Sequence, residues 1–172
     1  LAFASAPTRP LFLGPLGWSQ IDRRRVWGRP LSEAVRRRVR RASAHERAAD
    51  VDGETARVRR FGPEHEAAYD ALAPWLGNHL VRSAAYLQWR YLDAPRPYTA
   101  VASDDGFAVV GGVRRGPVSA GLVMELVGPP EQARRLLARC VREARGRDVL
   151  LAVPSPCLPQ SLLARAGFVP LR

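Results

Sequence analysis

Residues 82–98 hold the densest group of side chains that could do chemistry, and they read RSAAYLQWRYLDAPRPY. Tyr86, Trp89 and Arg90 are spaced i, i+3, i+4, so they share one face if the segment is helical. Pro95 cannot continue a helix, and it disfavours the helical conformation for the residue before it. The spacing therefore predicts a helix over residues 82–93 with an aromatic and basic face.

The two arginines of this helix, Arg82 and Arg90, have two interpretations. Guanidinium groups can bind an anionic substrate through paired hydrogen bonds. Alternatively, they pair within the protein, with Asp70, Asp93 or a helix end, while the neighbouring Tyr and Trp rings fill the core. The second interpretation makes the segment a packing element, and it is the one that we favour.

Other residues of catalytic type are scattered along the chain. His45, His65 and His79 are isolated, and no Ser-His-Asp order stands out. His79 follows a Gly-Asn pair and could act as a general base, or it could be an ordinary loop histidine. Cys140 and Cys157 are far apart and do not match the spacing of a metal site, so we predict no metal.

The formal net charge is +11, and all 27 basic residues are arginine. A basic balance can indicate nucleic acid or an anionic membrane as a partner. Binding patches normally mix Lys and Arg, whereas a Lys-free chain rich in Ala, Arg, Pro and Gly is typical of a GC-rich genome. Nucleic acid is therefore disfavoured as a partner. No run of about 18 apolar residues is present, so we expect no membrane span. The two separated cysteines fit a reducing compartment, so we expect a cytoplasmic protein.

The elements that position these residues follow from the apolar pattern. From residue 57 the chain predicts the order β-α-α-β-β-β-α-β-α-β. Meander and crossover connections both occur, so we expect an α/β (α+β) fold with a mixed sheet and helices on both faces. Residues 57–172 form the compact domain, residues 32–56 a partly helical linker, and residues 1–31 a separate segment with too little apolar surface to fold alone.

Two of the predicted helices have defined apolar faces. The helix that begins at Gly62 ends before Gly77, and its apolar face is Ala67, Ala68, Ala71, Leu72, Trp75 and Leu76. The helix Glu131–Arg145 follows a Gly-Pro-Pro break. Its apolar face is Ala133, Leu136, Leu137, Cys140, Val141 and Ala144.

This arrangement resembles the GNAT superfamily of acyl-CoA-dependent N-acyltransferases. The similarity rests on the meander Tyr98–Val127 followed by a helix, the next strand Val149–Val153, and the ending Leu162–Phe168. The motif Arg82–Tyr98 is similar to that of a bacterial subgroup with two GNAT-like lobes. In that subgroup the first lobe closes on a segment like Arg29-Pro30-Leu31. The resemblance implies that residues 1–31 are the end strands of a first lobe, that the chain lacks its start, and that it contacts the missing N-terminal lobe.

The resemblance also implies an acetyl-CoA site and a small-molecule amine as acceptor. In the family, acyl-CoA binds between the fourth and fifth strands, and its pyrophosphate binds backbone amides at the next helix N-terminus. The fourth strand corresponds to Leu122–Val127. The cofactor-binding residues are then Leu126, Val127, Gly128, Glu131, Gln132 and Ala133.

For catalysis, the resemblance implies Glu125 on the fourth strand as the general base that removes a proton from the amine. The alternative is that Glu125 faces an edge or forms a salt bridge. Two positions depart from the family pattern. Pro129 and Pro130 have no N–H for a phosphate, and Leu163 stands where the family often has a proton-donating Tyr. These departures leave open an N-acetyltransferase, a GNAT-like lobe with a structural or binding role, and a less favoured Arg-rich nucleic-acid binder.

Overall fold

The computed structural model describes residues 25–39, 55–76 and 80–171. The strands are β1 Trp27–Pro30, β2 Ala56–Arg57, β3 Thr99–Ser103, β4 Gly106–Arg115, β5 Val118–Val127, β6 Val149–Ala152 and β7 Val169–Pro170. The helices are α1 Glu33–Val39, α2 Pro63–Asp70, α3 Ala84–Leu87, α4 Pro130–Glu143 and α5 Gln160–Arg165. The strands form one mixed sheet in the order β2-β3-β4-β5-β6-β1-β7. This confirms the predicted fold class, and the order of elements from β2 onward is the predicted one.

The sheet buries both of its faces. Alternation along β3, β4 and β5 divides their side chains between two cores. One core packs against α4 and α5 and includes Val101, Ala108, Val110, Leu126, Leu136, Leu137 and Leu163. The other packs against α2 and α3 and includes Ala100, Phe107, Val109, Val127, Tyr69, Leu87 and Tyr91. Helices therefore cover both faces, as predicted.

Strands β5 and β6 separate soon after they meet. They pair in parallel only where Ala120–Leu122 lies opposite Val149–Leu151, whereas β5 stays paired with β4 as far as Val127. On β5, Met124 is an extra residue, because Val110 pairs with Val123 and Val109 pairs with Glu125. Such a bulge bends its strand and redirects side chains. A gap therefore opens beside residues 123–127, at the bulge.

Strand β1 lies inside this sheet. It pairs antiparallel with β6, where Trp27 faces Ala152, and with β7, where Gly28 faces Val169. Asp148 holds the chain just after β1, because its carbonyl oxygen accepts the amide of Leu31 at 2.8 Å. Residues 27–30 thus share a sheet with the domain of residues 57–172. Residues 1–24 and 40–54 lie outside the described residues, and the assignment of residues 1–31 to a preceding lobe stays a prediction.

The predicted apolar face of the helix after Gly62 is only partly correct: Ala68, Leu72 and Leu76 pack against the core, whereas Ala67, Ala71 and Trp75 are exposed. Helix α2 ends at Asp70, and a 3-10 turn, Ala73–Trp75, follows it. Pro74 lies in that turn and cannot donate the hydrogen bond that would continue the α-helix. The buried residues of α2 are His65 and Tyr69, whereas Trp75 is 77% exposed. A face made largely of alanine buries too little area to set the orientation of the helix against larger aromatic rings.

The helix predicted over residues 82–93 is present, but its second half is wider than an α-helix. Ser83 caps α3 by accepting the amide of Tyr86 at 3.2 Å, and a π-helical turn, Gln88–Leu92, continues it. Leu87 and Tyr91 face the sheet and are buried, which places Trp89 on the opposite side with 65% exposure. The prediction that Trp89 fills the core is therefore wrong. Helical segments with an i→i+5 bond are frequent at functional sites.

Candidate functional site

Glu125 lies on β5, one residue beyond the bulge and beside the gap. Its cross-strand partner is Val109, so its side chain faces α2 and α3. Two groups donate to its Oε1: Nε of Arg82 at 3.0 Å and the hydroxyl of Tyr91 at 2.8 Å. The Glu125 side chain is 14% exposed. A charged carboxylate at this depth needs such donors because burial costs it hydration.

Arg82 connects this carboxylate to two aromatic rings. Its guanidinium carbon lies 5.3 Å from the ring centre of Tyr86 and 5.8 Å from that of Tyr69, within the range of cation–π attraction. Burial acts to lower the pKa of Arg82, but Glu125 and the two rings raise it above the ordinary value, so Arg82 stays charged. We call Tyr69, Arg82, Tyr86, Tyr91 and Glu125 the glutamate cluster.

The internal pairing expected for Arg82 is present, but its partner was not foreseen. It pairs with Glu125, 43 residues away in the chain, and not with Asp70 or Asp93. The partners expected for Arg82 are close to it in sequence, whereas the fold brings the start of α3 against β5, where Glu125 lies. Arg90 contacts tyrosines instead: its guanidinium lies 5.5 Å from the ring centre of Tyr91.

Tyr91 acts as a proton donor within the cluster. Burial is the main cause that raises its pKa, and the charge of Glu125 adds to that effect. Its hydroxyl therefore stays protonated at neutral pH and keeps its hydrogen bond to the carboxylate. The ring of Tyr98 packs edge-on against that of Tyr91 at 5.2 Å and helps to fix its position.

The second carboxylate oxygen of Glu125 remains open. Both donors contact Oε1, and no other group in the described part of the chain donates to Oε2. A carboxylate accepts hydrogen bonds at both oxygens. The cluster can therefore accept one further N–H or O–H group without losing the contacts that hold it.

The turn after β5 is poor in amide donors. Gly128 has φ +149°, Pro129 precedes α4, and Pro130 is the first residue of α4. The first amide bonded within the helix is that of Ala133, which donates to the carbonyl of Pro129 at 2.8 Å. Neither proline carries an N–H. The first turn of α4 therefore offers at most two unbonded amides, those of Glu131 and Gln132.

The predicted cofactor residues have different environments. Leu126 and Val127 are buried in opposite cores, and Gly128 is buried in the turn. Ala133 is fully buried and its amide is bonded within α4. In the first turn of the helix, Glu131 is exposed. Gln132 is buried, and its side-chain oxygen has no hydrogen-bond partner in the described residues. Cofactor binding by these residues stays a prediction.

Cys157 is close to this turn, which the sequence did not indicate. Its half-buried thiol lies near the backbone of Gly128. Burial is the main cause that raises the pKa of the thiol, whereas the backbone of Gly128 acts to lower it and the charge of Glu125 acts to raise it. The thiol is therefore protonated at neutral pH. The 154–159 loop thus brings a sulfur atom to the end of β5, next to the gap.

The remaining sequence candidates lie away from the cluster or outside the described residues. Leu163 is fully buried in the core. His65 is also buried, and its Nδ1 accepts the amide of Gly62 at 3.1 Å, which gives it a structural role. His45 and His79 lie outside the described residues. Among the residues that the structure describes, no group of three or more His, Cys, Asp or Glu side chains could hold a metal ion. No helix among them has the length and apolar character to cross a membrane.

Comparison with known proteins gives structural matches only. No protein-family model and no curated protein matches the chain. Among solved structures, an N-myristoyltransferase from Saccharomyces cerevisiae with bound myristoyl-CoA is similar over 86% of this chain and 45% of its own, at 11% identity and a TM-score of 0.57. A GCN5-related N-acetyltransferase from Anabaena variabilis covers 87% and 38%, at 14% identity and a TM-score of 0.55.

A third structure, Eis1 from Mycobacterium abscessus, is similar over 86% of this chain and 39% of its own, at 17% identity and a TM-score of 0.52. The chain thus spans less than half the length of each of these three proteins. At these identities the likeness shows a shared fold.

Proposed function

We propose that this chain, which has the fold of the GCN5-related N-acetyltransferases (GNAT), takes part in the transfer of an acyl group from acyl-CoA to a small-molecule amine. The observation that carries the proposal is the position of Glu125. Its open Oε2 lies on β5 beside the gap, where an acceptor amine could donate to it. Acetyl-CoA as the particular donor, a preceding N-terminal lobe as a contact, and a cytoplasmic location remain part of the proposal.

The residues of the cluster have separate tasks in this proposal. Glu125 accepts the proton of the acceptor amine at Oε2, as a general base. Arg82 and Tyr91 hold Oε1, so the carboxylate keeps one orientation while Oε2 reacts. A salt bridge was the alternative foreseen for Glu125, and the structure shows that it is present. Acyl-CoA, when bound, supplies the activated thioester.

The residues present fit one half of acyl-CoA better than the other. Beyond Leu122, the side of β5 that faces β6 is unpaired, so an extended pantetheine arm could pair with it as an added strand does. The turn fits the pyrophosphate poorly. It offers two amides instead of a full helix N-terminus, and the exposed carboxylate of Glu131 would repel phosphates. No catalytic step is therefore assigned to this turn.

That turn favours a second candidate function, a GNAT-like lobe that binds or supports without catalysis. Pro129 and Pro130 remove amides, and Leu163 supplies no hydroxyl. Calorimetric titration of acetyl-CoA into the whole chain, followed by an assay for the acylated amine, separates the two. The main proposal expects saturable heat, and the same affinity for Glu125→Gln, because this change leaves β5 and the turn intact. An absence of heat up to millimolar acetyl-CoA would support the second candidate.

A further inference from the structure

Three apolar side chains are exposed next to the glutamate cluster: Leu80 at 67%, Val81 at 69% and Trp89 at 65%. We call them the apolar rim. The rim joins the cluster through Leu80, whose carbonyl oxygen accepts the hydroxyl of Tyr69 at 3.0 Å and Nη1 of Arg82 at 3.2 Å. Large apolar side chains grouped on a surface indicate a contact with another molecule.

A series of side-chain contacts connects Trp89 of the rim to the carboxylate of Glu125. Glu125 bonds Arg82, whose guanidinium carbon lies 5.3 Å from the ring centre of Tyr86. The Tyr86 and Trp89 ring centres are 6.0 Å apart. From the carboxylate outward, Arg82 is therefore followed by the ring of Tyr86 and then by the exposed indole of Trp89.

The site holds charges of both signs. Arg82 neutralises Glu125, and Arg90 adds a positive charge above the ring of Tyr91. Asp70 adds a negative charge near Tyr69. The exposed rim, in contrast, is uncharged, so an acceptor that carries an apolar or aromatic body beside its amine can bury it.

We propose that the acceptor is an amine with an aromatic or apolar body: its nitrogen donates to Oε2 of Glu125, and its body lies against Tyr86 and Trp89. This inference rests on the proposed function and names its substrate class. Other occupants of the rim are a second copy of the chain or another protein. The series of contacts from Trp89 to the carboxylate favours the amine over both.

The test is a calorimetric series of amines on the whole chain, with phenethylamine, butylamine and putrescine as probes. We expect phenethylamine to bind at least tenfold more tightly than the other two. Trp89→Ala should abolish this preference. Trp75→Ala is the matched control, because Trp75 is also exposed but no ring contact joins it to the cluster in the described residues. It should keep the preference.

In this series, the inference is overturned by equal affinity for the three amines, by no binding of any of them, or by the same effect from both Trp variants. Sedimentation tests the second copy. If Trp89→Ala turns a dimer into a monomer and leaves the amine preference unchanged, the rim is a protein interface and the inference fails. Failure of the proposed function is distinct: the aromatic preference would persist, but no acyl group would be transferred. Transfer without the preference would retain the function and overturn the inference.

Discussion

At the scale of single residues, the contacts of the site converge on one oxygen atom of Glu125. Arg82 and Tyr91 both donate to Oε1. Either contact alone would leave the carboxylate free to rotate about its last bond, whereas two donors fix it, one from the residue before the helix cap and one from the π turn. The arrangement leaves Oε2 as the reactive position, and it makes Arg82 and Tyr91 positioning residues.

Removing either partner of the Arg82–Glu125 pair should cost stability. Arg82→Met leaves a mostly buried carboxylate without its cation, and we expect a loss of roughly 1–3 kcal/mol in the free energy of unfolding. Urea denaturation of Arg82→Met, Glu125→Gln and the double variant measures the coupling. The double variant should lose clearly less than the sum of the two single losses, because it strands no charge. Strictly additive losses would show that the pair is not coupled.

Tyr91 should make the stability depend on alkaline pH. Its pKa is raised, by burial first and by Glu125 second, so the unfolded chain ionises before the folded one does. The stabilisation is complete below about pH 10, the ordinary value, and is lost as the pH rises through the raised folded value. Tyr91→Phe should reduce the alkaline loss of stability. The pKa of Tyr69 is also raised, chiefly by burial, so a smaller alkaline loss of stability should remain in Tyr91→Phe. Tyr86→Phe is the control, and an equal reduction there would contradict the assignment.

At the scale of elements, the bulge in β5 and the π-helical turn after α3 meet at the site. The bulge at Met124 sets the position of Glu125, and the π turn carries Tyr91. Sequence periodicity predicted both elements but neither irregularity. The bulge shifts the alternation of β5, because the successive residues Met124 and Glu125 lie on one side of the sheet. The nearly continuous apolar run around them has no regular alternation in which this shift could be seen. A π turn keeps an i, i+4 pair such as Leu87 and Tyr91 on one side. Long-range contacts decide both.

The better predictions share a physical feature. The face of α4 was predicted correctly, because large aliphatic residues recur on it at helical spacing and are buried at Leu136, Leu137 and Cys140. The face predicted for α2 was correct only in part, because alanines gave the pattern, whereas the buried residues of α2 are two polar aromatics, His65 and Tyr69. Periodicity identifies a face reliably where the periodic residues also bury the most area.

Asp148 should make the join between β1 and the domain sensitive to acid. Its carboxylate accepts the amide of Ser119 at 2.8 Å. That bond, followed by one from Ser32, lowers its pKa. A lowered pKa contributes stability that is present above the unfolded value and is lost as the pH falls through the folded value. In Asp148→Asn, the free energy of unfolding should therefore fall less steeply as the pH is lowered from about 5 to 2. Asp104→Asn, in the exposed β3–β4 turn, should keep the steep fall of the wild type. The same pH dependence of unfolding in the two variants would contradict the role of Asp148.

At the scale of the whole molecule, one sheet connects both ends of the described chain. Without β1, β6 would expose an edge, and β7 would lose its only strand partner among the described residues. A fragment of residues 57–172 should therefore be less stable than one of residues 25–172. Hydrogen exchange on both fragments measures this, with fast exchange expected in β6 of the shorter one. Equal protection of β6 in the two fragments would show that β1 is dispensable.

The central claim is that Glu125 acts as a base in acyl transfer, and a transfer assay tests it most directly. The whole chain is incubated with labelled acetyl-CoA and, separately, with phenethylamine, butylamine and putrescine, and the N-acetylated amine is quantified for the wild type and for Glu125→Gln. We predict product with the wild type, and a rate at least about 100-fold lower with Glu125→Gln, the scale of general-base catalysis, at unchanged affinity for acetyl-CoA. Equal rates for the two proteins, or no product with the wild type, would contradict the claim.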